Sequence, residues 1–172
     1  DKIIDAAHEL NEPIKNLTTK YTKIYNEDMG FLNVKLPDIQ PHATDHISEM
    51  IDLIKKLMEK NYAYEKDGHV LFHVPSFSKY GVLSKRNRDE QIAGSRVEVA
   101  PFKKDPADFI LWKPSPDPLP GWESPWGFGR PGWHLECSAM SEKTLGLPFD
   151  IHSGGMDLVF PPNENEIAQT CS

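Results

Sequence analysis

Between Arg130 and Gln169 three stretches crowd together residues that rarely serve only to fill a core. They are Arg130-Pro-Gly-Trp-His-Leu-Glu-Cys-Ser-Ala-Met140, Phe149-Asp-Ile-His-Ser-Gly-Gly-Met-Asp157 and Phe160-Pro-Pro-Asn-Glu-Asn-Glu-Ile-Ala-Gln169. A thiol, two histidines, a tryptophan, a glycine pair and several carboxylates of this kind can build a pocket for a small polar ligand. Cys137, His152 and Glu166 also offer thiolate, imidazole and carboxylate, the atoms zinc accepts. No C-x-x-C or H-E-x-x-H pair is present, so spacing alone does not establish a metal site. Each residue has a plainer reading. Cys137 on a helix serves equally as a small hydrophobe, His134 as a hydrogen-bonded core residue and Trp133 as packing. Asp157 fits a turn or a helix cap, and Glu164 and Glu166 suit a helix N-terminus whatever they bind.

Those residues need elements to carry them. A helix from about Trp133 to Leu145 stops at Gly146 and Pro148, and its period puts His134 and Cys137 on one face. Strands over Phe149–His152 and Leu158–Phe160 flank Ser153-Gly154-Gly155, placing His152 at a strand end where α/β folds open a ligand crevice. The glycines would let a backbone approach a nucleotide closely. A further helix carries Asn163 to Glu166. Helix, strand, glycine turn, strand and helix predict the second half of an α/β nucleotide-binding fold.

Upstream, the first forty residues read as helix, with Ile14, Leu17, Tyr21, Ile24 and Tyr25 in phase behind Pro13. A clearer apolar stripe, Ile47, Met50, Ile51, Ile54, Leu57 and Met58, follows Thr44 as a candidate cap and is core packing. Asp67-Gly68 between Ala63–Lys66 and His69–Phe72 marks a hairpin, with His69 and His73 as surface histidines on one sheet face. Phe77 to Lys104 reads as loop, with a short strand at Arg96–Val99. Phe109–Trp112 reads as a buried strand, and the prolines from Pro114 to Pro125 exclude helix.

Composition sets the frame. The 172 residues are 38% hydrophobic and 26% charged, enough for a core and an ordinary surface. No apolar run reaches the roughly 20 residues of a membrane span, and Asp1–Asp5 has no signal-peptide character. Two cysteines, Cys137 and Cys171, make no disulfide framework, so a cytoplasmic setting is expected. A net charge of −7 argues against a protein coated in basic residues for nucleic acid. The basic groups Lys55, Lys56 and Lys60, then Lys85, Arg86 and Arg88, then Lys103 and Lys104 are expected as solvated surface. A start without Met and a stop inside a helical run read as a piece of a longer protein.

These motifs together resemble the catalytic domain of cysteinyl-tRNA synthetases, class I aminoacyl-tRNA synthetases, along the whole chain. Asp1-Lys2-Ile3-Ile4, His42-Ala43-Thr44-Asp45-His46-Ile47, Tyr80-Gly81-Val82-Leu83-Ser84, Ala107-Asp108-Phe109-Ile110-Leu111-Trp112-Lys113 and Trp122-Glu123-Ser124-Pro125-Trp126-Gly127 match in order. Gly129–Met140 and Phe149–Gln169 match almost residue for residue. The resemblance implies an α/β fold: the second part of a Rossmann-like nucleotide-binding domain with a mixed α+β connective insertion. Residues 1–40 would end the first nucleotide-binding half, 41–128 would be the insertion, and 129–172 would begin the second half. It implies cysteine, ATP and the cysteine tRNA as partners, with no membrane. The phosphate-handling His-Ile-Gly-His and Lys-Met-Ser-Lys-Ser motifs would lie upstream and downstream, so this stretch alone is expected to be inactive.

By the same resemblance Trp133 walls the amino-acid pocket, His134 and His152 line its base, and Asp157 meets the substrate ammonium. Gly154 and Gly155 form part of the adenylate floor, while Cys137 and Glu166 are zinc ligands. In that family a zinc ion binds the substrate thiolate and so separates cysteine from serine. One departure stands out: the family's Phe-Pro-His-His-Glu-Asn-Glu is here Phe160-Pro-Pro-Asn-Glu-Asn-Glu166, with Pro162 in place of a ligand histidine and Asn163 after it. Zinc is therefore in doubt. Two other readings stand beside the synthetase: a cysteine:amino-sugar ligase of mycothiol synthesis, and a non-catalytic synthetase-like binding module.

Overall fold

A computed structural model describes residues 2–94 and 100–172, and the expected strand at Arg96–Val99 lies outside them. The chain divides into two units, Asp1–Gln40 and Pro41–Ser172. In the first, α1 (Lys2–Glu9) and α2 (Ile14–Phe31) pack together, and Pro13 stands directly before α2 with φ −58°. Of the apolar positions in phase on α2, Leu17 is buried, whereas Tyr21 and Tyr25 are exposed.

The second unit is built on α3 (Ile47–Glu59) and a four-stranded sheet. Met50, Leu53, Ile54 and Leu57 of α3 are buried, as their helical spacing requires. Thr44 does not cap this helix: it lies in a 3-10 turn, Ala43–Asp45, and His46 takes the cap position without a side-chain bond. The sheet runs β1 (Ala63–Lys66), β2 (His69–Phe72), β3 (Phe109–Pro114) and β4 (Gly129–Pro131), in that order and antiparallel throughout. Asp67 and Gly68 have φ of 55° and 73°, the left-handed pair a two-residue hairpin demands. Val70, Leu71 and Phe72 are all fully buried, so β2 is covered on both faces. The Pro-rich stretch closes on itself where Trp122 and Gly129 exchange backbone hydrogen bonds of 2.7 and 3.0 Å.

Asp108 ties the loops to this sheet. It is 1% exposed and accepts from Tyr64 Oη (2.7 Å) and from the Val74 and Asp105 amides (2.9 and 3.0 Å). His73 Nδ1 lies 3.2 Å from the same carboxylate. His73 is thus partly buried in a polar cluster, and His69 stacks on Phe102, so neither is the plain surface histidine expected. Basic groups are likewise engaged locally. Lys56 meets Glu142 at 2.9 Å, and Lys104 and Arg86 sit over the rings of Tyr64 and Phe160. Arg88, which pairs with Asp105, opens a short helix, α4 (Arg88–Gly94), inside the stretch expected to be loop.

After β4 the Gly132 amide donates to Leu111 O at 2.8 Å. A Cβ at Gly132 would overlap the Ile110 carbonyl, so only glycine lets the chain cross β3 this closely. Helix α5 (Leu135–Leu145) then packs on α3 and ends at Gly146, φ 76°. The strands expected at Phe149–His152 and Leu158–Phe160 are not formed. The first is irregular; the second is replaced by a 3-10 turn (Met156–Leu158) and a kinked turn (Val159–Asn163) in which Phe160 alone is extended. A strand exists only where a neighbour satisfies its backbone, and Pro161 and Pro162 remove two donors here. The chain ends in α6 (Glu164–Cys171). Helices with an antiparallel sheet make the described fold mixed α/β.

Candidate functional site

Helices α5 and α6 lie against each other and, with the segment between them, line an open-sided pocket of about 290 Å³. Cys137 and Ser138 enter it from α5, Glu166 from α6, and His152 and Asn163 from the intervening segment. Leu83, from a loop far upstream, supplies an apolar wall.

One carboxylate organises the polar side. Glu166 lies 2.7 Å from His152 Nε2 and accepts a hydrogen bond from the Cys137 thiol. Burial raises the Glu166 carboxyl above its ordinary range, against the opposing pull of His152 and the thiol. Burial pushes the Cys137 thiol up to about 11, with Glu166 and Glu136 adding to the effect. Glu136, itself raised by burial, makes this a predominantly acidic corner. At neutral pH Cys137 is a protonated thiol and hydrogen-bond donor, a poor nucleophile. Ser138 Oγ donates to buried Gln169 Oε1 at 2.5 Å and locks the two helices behind the pocket.

The remaining sequence-predicted residues stand outside this lining. Trp133 is 77% exposed, its ring edge-on to His134 with centroids 5.8 Å apart. His134 does not share a helical face with Cys137. It precedes α5 in the left-handed region at φ 70°, half-buried, and burial lowers its pKa. Asp157 is exposed on its 3-10 turn. A Cβ at Gly155 would overlap the Asp157 carboxylate, so this glycine makes room for that side chain. Gly154 abuts Leu158.

The donors that this stretch supplies do not by themselves fit a zinc ion. Among the described residues no three His, Cys, Asp or Glu side chains form a group able to hold a metal. Cys137 and Glu166 do meet, but Glu166 is already engaged by His152, and buried Pro162 has no side-chain donor. Sequence reasoning did not place Leu83, Ser138 or Phe149 at the pocket. Leu83 carries no local signal, because what brings it there is a contact across some eighty residues.

The whole chain, residues 1–172, matches the family model described as tRNA synthetases class I (C) catalytic domain. It is 63% identical over 170 residues to a cysteine–tRNA ligase of Maricaulis maris, covering 99% of this chain and 37% of that protein. Cysteine–tRNA ligases of Paramagnetospirillum magneticum and Parvibaculum lavamentivorans are 61% and 62% identical, over 100% and 99% of this chain and 38% and 36% of their own lengths. The chain therefore spans little more than a third of these curated relatives.

Proposed function

Since the chain belongs to the class I (C) tRNA synthetase catalytic-domain family, we propose that it forms part of a cysteine–tRNA ligase. The observation that carries this reading is the small pocket in which Cys137, His152 and Glu166 are joined by hydrogen bonds, on a chain similar throughout to such ligases.

In this reading the pocket receives the side chain of cysteine. Glu166, held by His152, accepts from the substrate thiol, and Cys137 beside it keeps the corner closed to bulk water. Asp157 would pair with the substrate ammonium and Trp133 would cover the bound amino acid. The chain lets its backbone pass close to the adenylate at Gly154 and Gly155. The substrate carboxylate attacks the α-phosphate of ATP, and pyrophosphate leaves; the terminal ribose hydroxyl of the tRNA then attacks the carbonyl, and AMP leaves. These residues bind and orient, so the rate comes from positioning and electrostatics without a covalent enzyme intermediate. ATP, cysteine and the cysteine tRNA are the partners, and the cytoplasm is the proposed setting. No described helix is long and apolar enough to cross a membrane. Because the donors of this stretch do not by themselves fit zinc, no step is assigned to it.

The test is charging of tRNA with labelled cysteine by the full-length protein, with serine as control. Charging with cysteine alone is expected, and residues 1–172 by themselves should show no cysteine-dependent pyrophosphate exchange. Adenylation without charging would point to the amino-sugar ligase; neither activity would point to a binding module.

A further inference from the structure

The first turn of α6 faces two ways. Glu166 looks into the pocket, while Glu164 and Asn165, both buried, turn toward a loop of the other side of the sequence. The Glu164 carboxylate, 1% exposed, accepts from the amides of Gly81 (2.8 Å) and Ser84 (2.9 Å), one to each oxygen. Tyr80 Oη donates to Asn165 Oδ1 at 2.5 Å, and the Tyr80 ring packs edge-on against Phe160. Both ends of the Tyr80–Ser84 loop are thereby fastened to the helix that bears Glu166. A buried carboxylate is costly unless hydrogen-bonded, so Glu164 favours this one loop position strongly. Gly81 has φ 93°, a conformation that suits glycine and lets its amide turn toward Glu164.

The piece of this loop with no such tie is its crest. Leu83 lies between the two anchored amides, half-exposed, and is the pocket-lining residue contributed from outside the α5–α6 region. We infer that Glu164 and Asn165 are positioning residues that set Leu83 as the end wall of the pocket, so that this latch fixes the length of side chain admitted. The inference rests on the cysteine-pocket reading above and deepens it. Such a wall should separate cysteine from a thiol amino acid one methylene longer, a difference ordinarily worth about ten- to two-hundredfold in an apolar site.

The experiment compares wild-type, Glu164→Gln and Leu83→Ala full-length proteins. Pyrophosphate exchange with cysteine and with homocysteine gives the ratio of their kcat/KM values. Both variants are expected to raise the homocysteine-to-cysteine ratio by about tenfold. Glu164→Gln should also speed hydrogen exchange at the Gly81 and Ser84 amides by about tenfold or more, which Leu83→Ala should not. A merely structural role would lower both substrates alike, and an unchanged ratio in Leu83→Ala would overturn the wall. Unchanged exchange in Glu164→Gln would overturn the latch. Should that variant fail to fold, Leu83→Ala, altered at a half-exposed side chain, still decides. Should the wild type activate neither substrate, the ligase reading falls. Peptide-resolved labelling of Cys137 then judges the wall: faster labelling in both variants supports it, and equal rates sink it.

Discussion

At the scale of single residues, the pocket is defined by groups whose neighbours change their chemistry. Cys137 is held as a thiol by burial and by two carboxylates, its pKa pushed up to about 11. A raised pKa means that the reactive thiolate is scarce at neutral pH and accumulates only as the pH climbs toward that value. At pH 8 its thiolate should be about a hundredfold scarcer than that of an ordinary thiol. Iodoacetamide should accordingly label exposed Cys171 far faster than Cys137. The Cys137 rate should rise about tenfold per pH unit to around pH 11, and peptide mass mapping that found it levelling off by about pH 9 would contradict this. His134 calls for care of a different kind. Its left-handed backbone costs about 1 kcal/mol or more for a residue other than glycine. A change to Ala there alters the ring while leaving that strain in place, and Asn, which tolerates the conformation, makes the cleaner comparison.

At the scale of elements, glycine positions decide where the site can stand. Gly132 allows β4 to hand over to α5 directly across β3, with its amide on Leu111 O. Gly132→Ala should push this crossover off the sheet and cost about 3 kcal/mol. Urea denaturation is the check: a loss below about 1 kcal/mol would mean the backbone retreats from Ile110 freely. How far elements could be foreseen follows from how local their causes are. The hairpin at Asp67-Gly68, the buried stripe of α3 and the stop at Gly146 were legible because turn chemistry and helical period act within a few residues. The strands at Phe149–His152 and Leu158–Phe160 were not, because a strand depends on a partner that sequence pattern does not name. The same holds for the site. Cys137, His152 and Glu166 could be singled out by type and motif, whereas Leu83, His134's left-handed turn and the buried Glu164 depend on contacts from elsewhere in the chain.

At the scale of the whole molecule, the two units are joined through residues 32–42, which are almost entirely exposed and carry neither helix nor strand. Exposed, unstructured joints are the preferred sites of proteolysis. Brief trypsin treatment should therefore cut this chain first after Lys35, and mass spectrometry showing initial cleavage within α3 or the sheet would refute that. In the second unit, the sheet draws all its strands from residues 63–131, so it can close as soon as that stretch is available. The Tyr80–Ser84 loop cannot follow at once, since its acceptor, Glu164, comes 83 residues after Gly81 and 80 after Ser84. In a chain made from its N-terminus these two amides therefore emerge ahead of their acceptor and wait, satisfied by water, beside a sheet that is already free to close. The pocket is then the last part of this unit to be assembled during synthesis, and it arrives together with α6.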